Sequence, residues 1–123
     1  MNEQSKKLAL GNLYRRFEDI AEDMGGDPRH LHLSRAFPAS AGAAPRSEEV
    51  PGLQIKMEHG FGVELGPTGP LCLGTSLDVT ARRSLNGEGL DDWTFRFNVQ
   101  DGLWYRGEGQ SLSDDEIGQC LAP

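Results

Sequence analysis

The first apolar pattern along the chain repeats every three to four residues. Between positions 5 and 24, apolar side chains form one stripe and charged side chains, including Lys6, occupy the other positions. The stripe consists of Leu10, Leu13, Tyr14, Phe17, Ile20, Ala21 and Met24. Gly25-Gly26 and then Pro28 end the pattern, because glycine accepts a left-handed cap and proline cannot continue a helix. The pattern predicts an amphipathic helix over residues 5–24.

Later in the chain the apolar period changes to two, which is typical of strands with one buried face. A brief alternation over 29–37 predicts a short strand. Longer alternating runs predict a meander of five strands over residues 53–57, 61–65, 71–79, 93–99 and 103–106. Segment 38–52 has three prolines and many small residues, so we expect a mobile loop. Segment 81–92 is a polar connection with a turn at Asn86-Gly87.

The closing segment predicts a short helix. Ser113 and Glu116 have the spacing of a capping box, and Leu112 with Ile117 can form a hydrophobic staple. The chain therefore predicts a single α+β domain over residues 1–123. An N-terminal helix packs on an antiparallel β-meander of about five strands, and a short C-terminal helix follows.

The first hairpin of the meander has a loop length that pairing logic can fix. A three-residue loop over 58–60 places Ile55 opposite Val63 and keeps both apolar rows on one face. A two-residue loop would place the rows on opposite faces. We therefore predict the three-residue loop, with Gly60 in the left-handed conformation.

The last hairpin, which contains both tryptophans, allows two registers. A two-residue Asp101-Gly102 turn pairs Val99 with Trp104 and buries the Trp104 ring. A three-residue loop over 100–102 pairs Val99 with Leu103 and turns Trp104 outward. Asp-Gly is a strong two-residue turn signal in its own right, so both registers stay open, and we prefer the three-residue loop.

With the three-residue loop, the outer face of this hairpin is a candidate binding patch. An arginine beside a tryptophan is common at protein interfaces, where the guanidinium can stack on the indole. The predicted partner-binding residues are Arg96, Asn98, Trp104 and Arg106, with Thr94 beside them. The alternative is that Trp104 belongs to the core and that both arginines are simply solvated.

Charge gives a second candidate surface. The net charge is −7 and the pI is about 4.8, which argues against binding to nucleic acid or an anionic membrane. A protein partner with a basic surface fits this charge. Four carboxylates on the predicted first helix would then dock: Glu18, Asp19, Glu22 and Asp23. Neither a membrane-length apolar run nor an apolar signal core occurs, so we expect a cytoplasmic protein.

No pattern typical of catalysis or metal binding occurs. Cys72 and Cys120 have no metal or disulfide spacing, and we expect both to be reduced and packed. His30 and His32 could share one face of a strand, but no companion ligand motif accompanies them. Neither a nucleophile elbow nor a phosphate-binding loop is present. We therefore expect no enzymatic activity, no cofactor and no metal.

Two segments resemble a family of small acidic bacterial proteins. "LYRRFEDIAEDMG" and "SLSDDEIGQCLA" are loosely similar to the first and last helices of type III secretion chaperones. That resemblance implies a homodimer that binds an extended segment of a secreted effector. Those chaperones carry a helix in the middle of the sheet, where this chain has "ARRSLNGEGLDD", a poor helix sequence. No functional residue is carried across.

The sequence thus predicts a small, acidic, non-catalytic protein that acts by protein–protein contact. An inhibitor, immunity protein or anti-defence protein of bacteria or phage fits best. A dimeric chaperone of the type III secretion kind is one alternative. A second alternative is a small-molecule pocket between helix and sheet, lined by Phe17, Phe61, Phe95 and Phe97, although these rings are more simply interpreted as core.

Overall fold

The computed structural model describes residues 1–39, 42 and 44–123. The elements are α1 Glu3–Asp23, β1 Asp27–Ala36, β2 Ser47–Lys56, β3 Phe61–Pro67, β4 Leu77–Leu85, β5 Glu88–Asn98, β6 Leu103–Tyr105 and α2 Asp114–Cys120. The strands form one sheet in the order of the chain, and every neighbouring pair is antiparallel. The predicted α+β architecture is confirmed. The short strand expected before the five-stranded meander is β1, which brings the sheet to six strands.

Helix α1 is present as predicted, but it begins two residues earlier, at Glu3, and ends one residue earlier, at Asp23. The side chain of Asn2 accepts a hydrogen bond from the Ser5 amide at 2.8 Å, and Gly25 after the helix has a φ of +85°. Most of the apolar stripe is buried against the sheet, where the Phe17 and Phe95 rings lie edge to face with centroids 5.7 Å apart, whereas Ile20 is partly buried and Met24 is exposed. The burial of this stripe holds the helix on the sheet.

Lys6 corrects the predicted polarity of α1, because this side chain lies on the buried face and is only 1% exposed. Its ammonium group donates hydrogen bonds to the carbonyl oxygens of Leu71, Leu73 and Gly74 at 2.9, 2.7 and 3.0 Å. These three bonds replace the water that burial removes. Lys6 therefore ties the loop before β4 to the first turns of α1.

The hairpin between β2 and β3 has the predicted register. Ile55 lies opposite Val63, and Gly60 is left-handed with a φ of +79°. The expected turn at Asn86-Gly87 is also present, with positive φ at both residues. Segment 81–92, however, is not a loose connection, because it forms the paired ends of β4 and β5. The ion pair between Arg83 and Asp91 across the strands, at 2.6 Å, stabilises this polar end.

The boundaries predicted for the 38–52 loop and for the third strand of the meander are wrong. The mobile loop expected over 38–52 overlaps β2, whose residues from Ser47 onward pair with β1. Pro51 is tolerated there because β3 pairs with β2 only from Leu53 onward, so the strand has one neighbour to satisfy at that point. Residues 40, 41 and 43 of the expected loop lie outside the described residues.

The third strand of the meander starts later than predicted, at Leu77 instead of Leu71. The residues before Leu77 form the loop whose carbonyl oxygens bind Lys6. Because Cys72 lies on this loop, its side chain is exposed, and the expectation that both cysteines are packed holds only for Cys120.

Helix α2 has the predicted capping box between Ser113 and Glu116. Its end is fixed to the sheet by Arg83, which is almost fully buried. The Arg83 guanidinium donates to the carbonyl oxygens of Cys120, at 3.0 Å, and of Ala122. A cation at the C-terminal end of a helix is favourable, because the last carbonyl groups have no partners within the helix.

Candidate functional site

The β5–β6 hairpin uses neither of the two loops considered from the sequence. Four residues, 99–102, connect the strands, and Trp104 lies opposite Phe97 on the inner face. Trp104 is only 4% exposed, and its ring centroid lies 5.3 Å from that of Phe97. The prediction of an outward Trp104 is therefore wrong. Val99 and Leu103 are exposed instead, at 58% and 47%.

Side-chain hydrogen bonds within the loop explain its length. The Asn98 side chain accepts from the Gln100 amide, and the Asp101 side chain accepts from the Leu103 amide, both at 2.9 Å. Gly102 has a φ of +73°, and its amide donates to the Asn98 carbonyl oxygen at 2.8 Å. These bonds stabilise a four-residue loop, which keeps Phe97 and Trp104 on the buried face.

Arg96 and Asn98 lie on the exposed outer face of the hairpin, as predicted. They line a shallow groove of about 920 Å³ together with Thr94 and Tyr105. The Arg96 guanidinium makes two contacts with the Asp78 carboxylate, at 2.8 and 3.3 Å. The charge of Arg96 is therefore compensated within the sheet.

Arg106 is exposed and lines the same groove, but the tryptophan on which it stacks is not Trp104. Strand β6 ends at Tyr105, so Arg106 leaves the ladder and stacks on Trp93, with 3.5 Å between its guanidinium carbon and the ring centroid. The predicted arginine–tryptophan contact thus exists with the other tryptophan. Trp93 is itself buried, and its indole nitrogen donates to Asp91 at 3.2 Å. Of the predicted outer patch, Arg96, Asn98 and Arg106 are exposed together around the groove, whereas Trp104 is buried.

The acidic side of α1 keeps most of its predicted character. Glu18 is half-buried and contacts His30 of β1, with 2.5 Å between its oxygen and the imidazole nitrogen. Asp19, Glu22 and Asp23 are exposed, and none of them forms an ion pair within residues 1–39, 42 and 44–123. We call Glu18, Asp19, Glu22 and Asp23 the acidic helix surface.

The start of α2 adds negative charge beside α1, which the sequence did not indicate. Arg16 of α1 donates to the Leu112 carbonyl oxygen at 2.9 Å and pairs with Asp114 at 3.0 Å. These contacts fix the acidic first turn of α2 to the flank of α1. The two segments lie close together only in the folded chain, because 98 positions separate Arg16 from Asp114 along the sequence.

The two thiols are poorly suited to nucleophilic chemistry. Burial raises the pKa of Cys120 to about 12, although Arg83 and Arg106 lower it in part. Desolvation, followed by the nearby Glu48 carboxylate, also raises the pKa of Cys72. A raised pKa reduces the thiolate fraction at neutral pH, and the thiolate is the reactive form.

The structure also shows where the residues considered for a metal site and for a small-molecule pocket lie. In the described part of the chain, no group of three or more histidine, cysteine or carboxylate side chains is arranged to hold a metal ion. Phe17, Phe61 and Phe95, which were considered for a small-molecule pocket, fill the core, and Phe97 is partly buried beside it.

No family model, curated protein or solved structure matches the chain. The segment that departs from the secretion chaperones, residues 81–92, forms the β4–β5 hairpin and contains no helix. Within the described residues, no helix is both long and apolar enough to cross a membrane. Function must therefore be argued from the surfaces of this chain alone.

Proposed function

We propose that the protein is a non-catalytic binding protein that docks its acidic helix surface onto a basic surface of another protein, as an inhibitor or immunity-type protein does. The observation that carries this proposal is the uncompensated charge of Asp19, Glu22 and Asp23 in the described structure. Arginines near the other candidate surface are engaged within the molecule, Arg96 with Asp78 and Arg106 with Trp93.

The placement of these carboxylates is unfavourable for the helix itself. Glu18 and Glu22, and likewise Asp19 and Asp23, are like charges at i and i+4, which destabilise a helix. They also lie near the C-terminal end of α1, where the helix dipole disfavours negative charge, and the last turn has no basic residue. A group of residues that opposes local stability is explained more simply by binding than by folding.

The charge also indicates the kind of partner. A net charge of −7 opposes association with polyanions, and an exposed acidic helix attracts a basic protein surface and accelerates the encounter. We place the protein in the cytoplasm, where the exposed thiol of Cys72 stays reduced. The contact is a docking event and requires no cofactor.

Site-directed photocrosslinking in the native cells tests this proposal and identifies the partner. A photoreactive p-benzoylphenylalanine replaces Glu22 in one variant and Glu88, an exposed carboxylate on β5, in a control variant. We expect a covalent adduct with one protein from position 22 only, and a basic surface on that protein. Identical adduct patterns from both positions, or an adduct from position 88 alone, would contradict docking through the acidic helix surface.

A further inference from the structure

Strand β1 leaves one long edge of the sheet open. Its ten residues, Asp27–Ala36, pair with β2 on one side, and the sheet order gives it no second neighbour among the described strands. The opposite edge strand, β6, has only three residues. A long exposed edge is a template for pairing with another chain, and proteins commonly keep edge strands short to prevent this. The length of β1 therefore needs an explanation.

The two faces of β1 are distinguished by their contacts. His30 contacts Glu18 of α1, so the even-numbered residues face the helix. The odd-numbered residues face the other way, where Leu33 covers Gly52 and Gly66. The Leu33 methyl carbon Cδ1 lies 2.5 Å from where a Cβ on either glycine would stand, so the missing side chains make room for it. The odd-numbered face is thus partly covered by the sheet, whereas His30, His32, Ser34 and Ala36 on the even-numbered face are exposed.

Symmetry restricts how two copies of β1 can pair. Two antiparallel edge strands in one continuous sheet are related by a two-fold axis perpendicular to the sheet, and this axis places a residue of β1 opposite itself. The two most central choices are Leu31 and His32. With the axis at His32, Arg29 of each copy lies opposite Arg35 of the other copy. Directly opposed like charges are destabilising.

An axis at Leu31 removes this conflict and gives complementary charges. Asp27 of each copy then lies opposite Arg35 of the other copy, and the two Leu31 residues lie opposite each other on the axis. Within one chain Asp27 also pairs with Arg29 at 3.3 Å, so its carboxylate would lie between two arginines. Arg35 now binds within its own chain, where its Nε donates to the Pro67 carbonyl oxygen of β3 at 2.6 Å, so the pair with Asp27 of the second copy forms once this side chain turns to the open edge. The edge is therefore complementary to a second copy of itself in one register.

We propose that β1 is the interface of a homodimer in which residues 27–35 of two chains pair antiparallel about Leu31. The interface joins the two six-stranded sheets into one. Because the axis is perpendicular to the sheet, both α1 helices lie on the same side, and the dimer presents two acidic helix surfaces to one side. This proposal does not depend on the proposed function, and the residues that test it lie outside that surface.

Charge exchange tests the register directly. Asp27→Arg places two arginine pairs in the interface, and Arg35→Asp places two aspartate pairs there. In an equimolar mixture of the two variants, the heterodimer regains both ion pairs. By analytical ultracentrifugation at low salt, we expect a wild-type dimer, a dissociation constant raised about tenfold or more in each variant, and recovery in the mixture. Glu108→Arg and Arg82→Asp carry the same charge changes at exposed sites elsewhere and should leave the wild-type constant unchanged.

A disulfide test covers the case in which a charge variant fails to fold. In a Cys72→Ser background, Leu31→Cys places two thiols opposite each other on the axis, within reach of a disulfide, and mild oxidation should give a covalent dimer. Arg29→Cys, two residues from the axis, should give no disulfide-linked dimer under the same conditions. A wild-type monomer at about 100 µM would overturn the proposal, and so would a dimer that both variant series leave unchanged.

Discussion

Phe97 and Trp104 lie opposite each other across the β5–β6 hairpin, and their ring centroids are 5.3 Å apart. This pairing makes Trp104 a core residue, although its indole Nε1 has no hydrogen-bond partner in the described structure. An unpaired buried donor reduces the gain from burial, but the large apolar ring outweighs it. The aromatic pair thus holds the hairpin to the core, and Trp104 is not an exposed binding residue.

The first prediction concerns this pair. Trp104→Ala should lower the free energy of unfolding by about 3–5 kcal/mol, because it leaves a cavity beside Phe97. Urea denaturation measures the loss. Leu103→Ala, at the exposed neighbouring position, is the matched control and should change the free energy by no more than about 0.5 kcal/mol. Equal stability of the two variants would show that Trp104 is not packed in the core.

A second prediction concerns the buried ammonium group of Lys6. Lys6→Met keeps the apolar stem but leaves the carbonyl oxygens of Leu71, Leu73 and Gly74 without their donor. We expect a loss of about 2–3 kcal/mol in the free energy of unfolding and faster amide hydrogen exchange over residues 71–76. Lys7→Met is the control, since Lys7 is exposed and its ammonium group forms an ion pair with Glu3 at 3.5 Å. Unchanged amide hydrogen exchange over residues 71–76 in the Lys6→Met variant would contradict the role of Lys6 in holding this loop.

A third prediction follows from the raised pKa of Cys120. In the unfolded chain the thiol ionises near its ordinary pKa of 9.0, whereas in the folded protein it stays protonated up to about pH 12. Above about pH 9 the folded state therefore binds more protons than the unfolded state, and stability falls as the pH rises. The expected loss between about pH 8 and about pH 10 is roughly 1–2 kcal/mol.

Cysteine variants separate this effect from the titration of other groups. The loss should largely disappear in Cys120→Ala and mostly persist in Cys72→Ala, because the pKa of the exposed Cys72 is raised less than that of Cys120. Denaturation curves at the two pH values provide the comparison. An undiminished loss in Cys120→Ala would assign the pH dependence to other groups.

The two hairpin predictions show what the sequence could and could not determine. In the β2–β3 hairpin, rows of apolar residues on both sides fix the register, since any shift by one would expose Ile55 or Val63. In the β5–β6 hairpin, Val99 and Leu103 look like members of the buried row. The hydrogen bonds of Asn98 and Asp101 decide the loop instead, and their energies are not visible in an apolar pattern.

Long-range contacts are the other source of error. Lys6 is charged, so its helical position alone suggests a solvated side chain, and its three acceptors come from residues more than sixty positions later. The acidic helix surface was predictable because its charges are local to one helix. Only the folded structure shows that Glu18 contacts His30, whereas Asp19, Glu22 and Asp23 form no ion pair within the described residues.

Association kinetics with the crosslinked partner, measured against salt concentration, test the central claim most directly. The variant Asp19→Asn, Glu22→Gln, Asp23→Asn is compared with Glu49→Gln, Glu88→Gln, Glu108→Gln, which changes the net charge equally at other exposed sites. We expect the first variant to associate about tenfold more slowly at low salt and to lose most of the salt dependence, while the control stays close to wild type. Equal association rates for the two variants would contradict docking through the acidic helix surface.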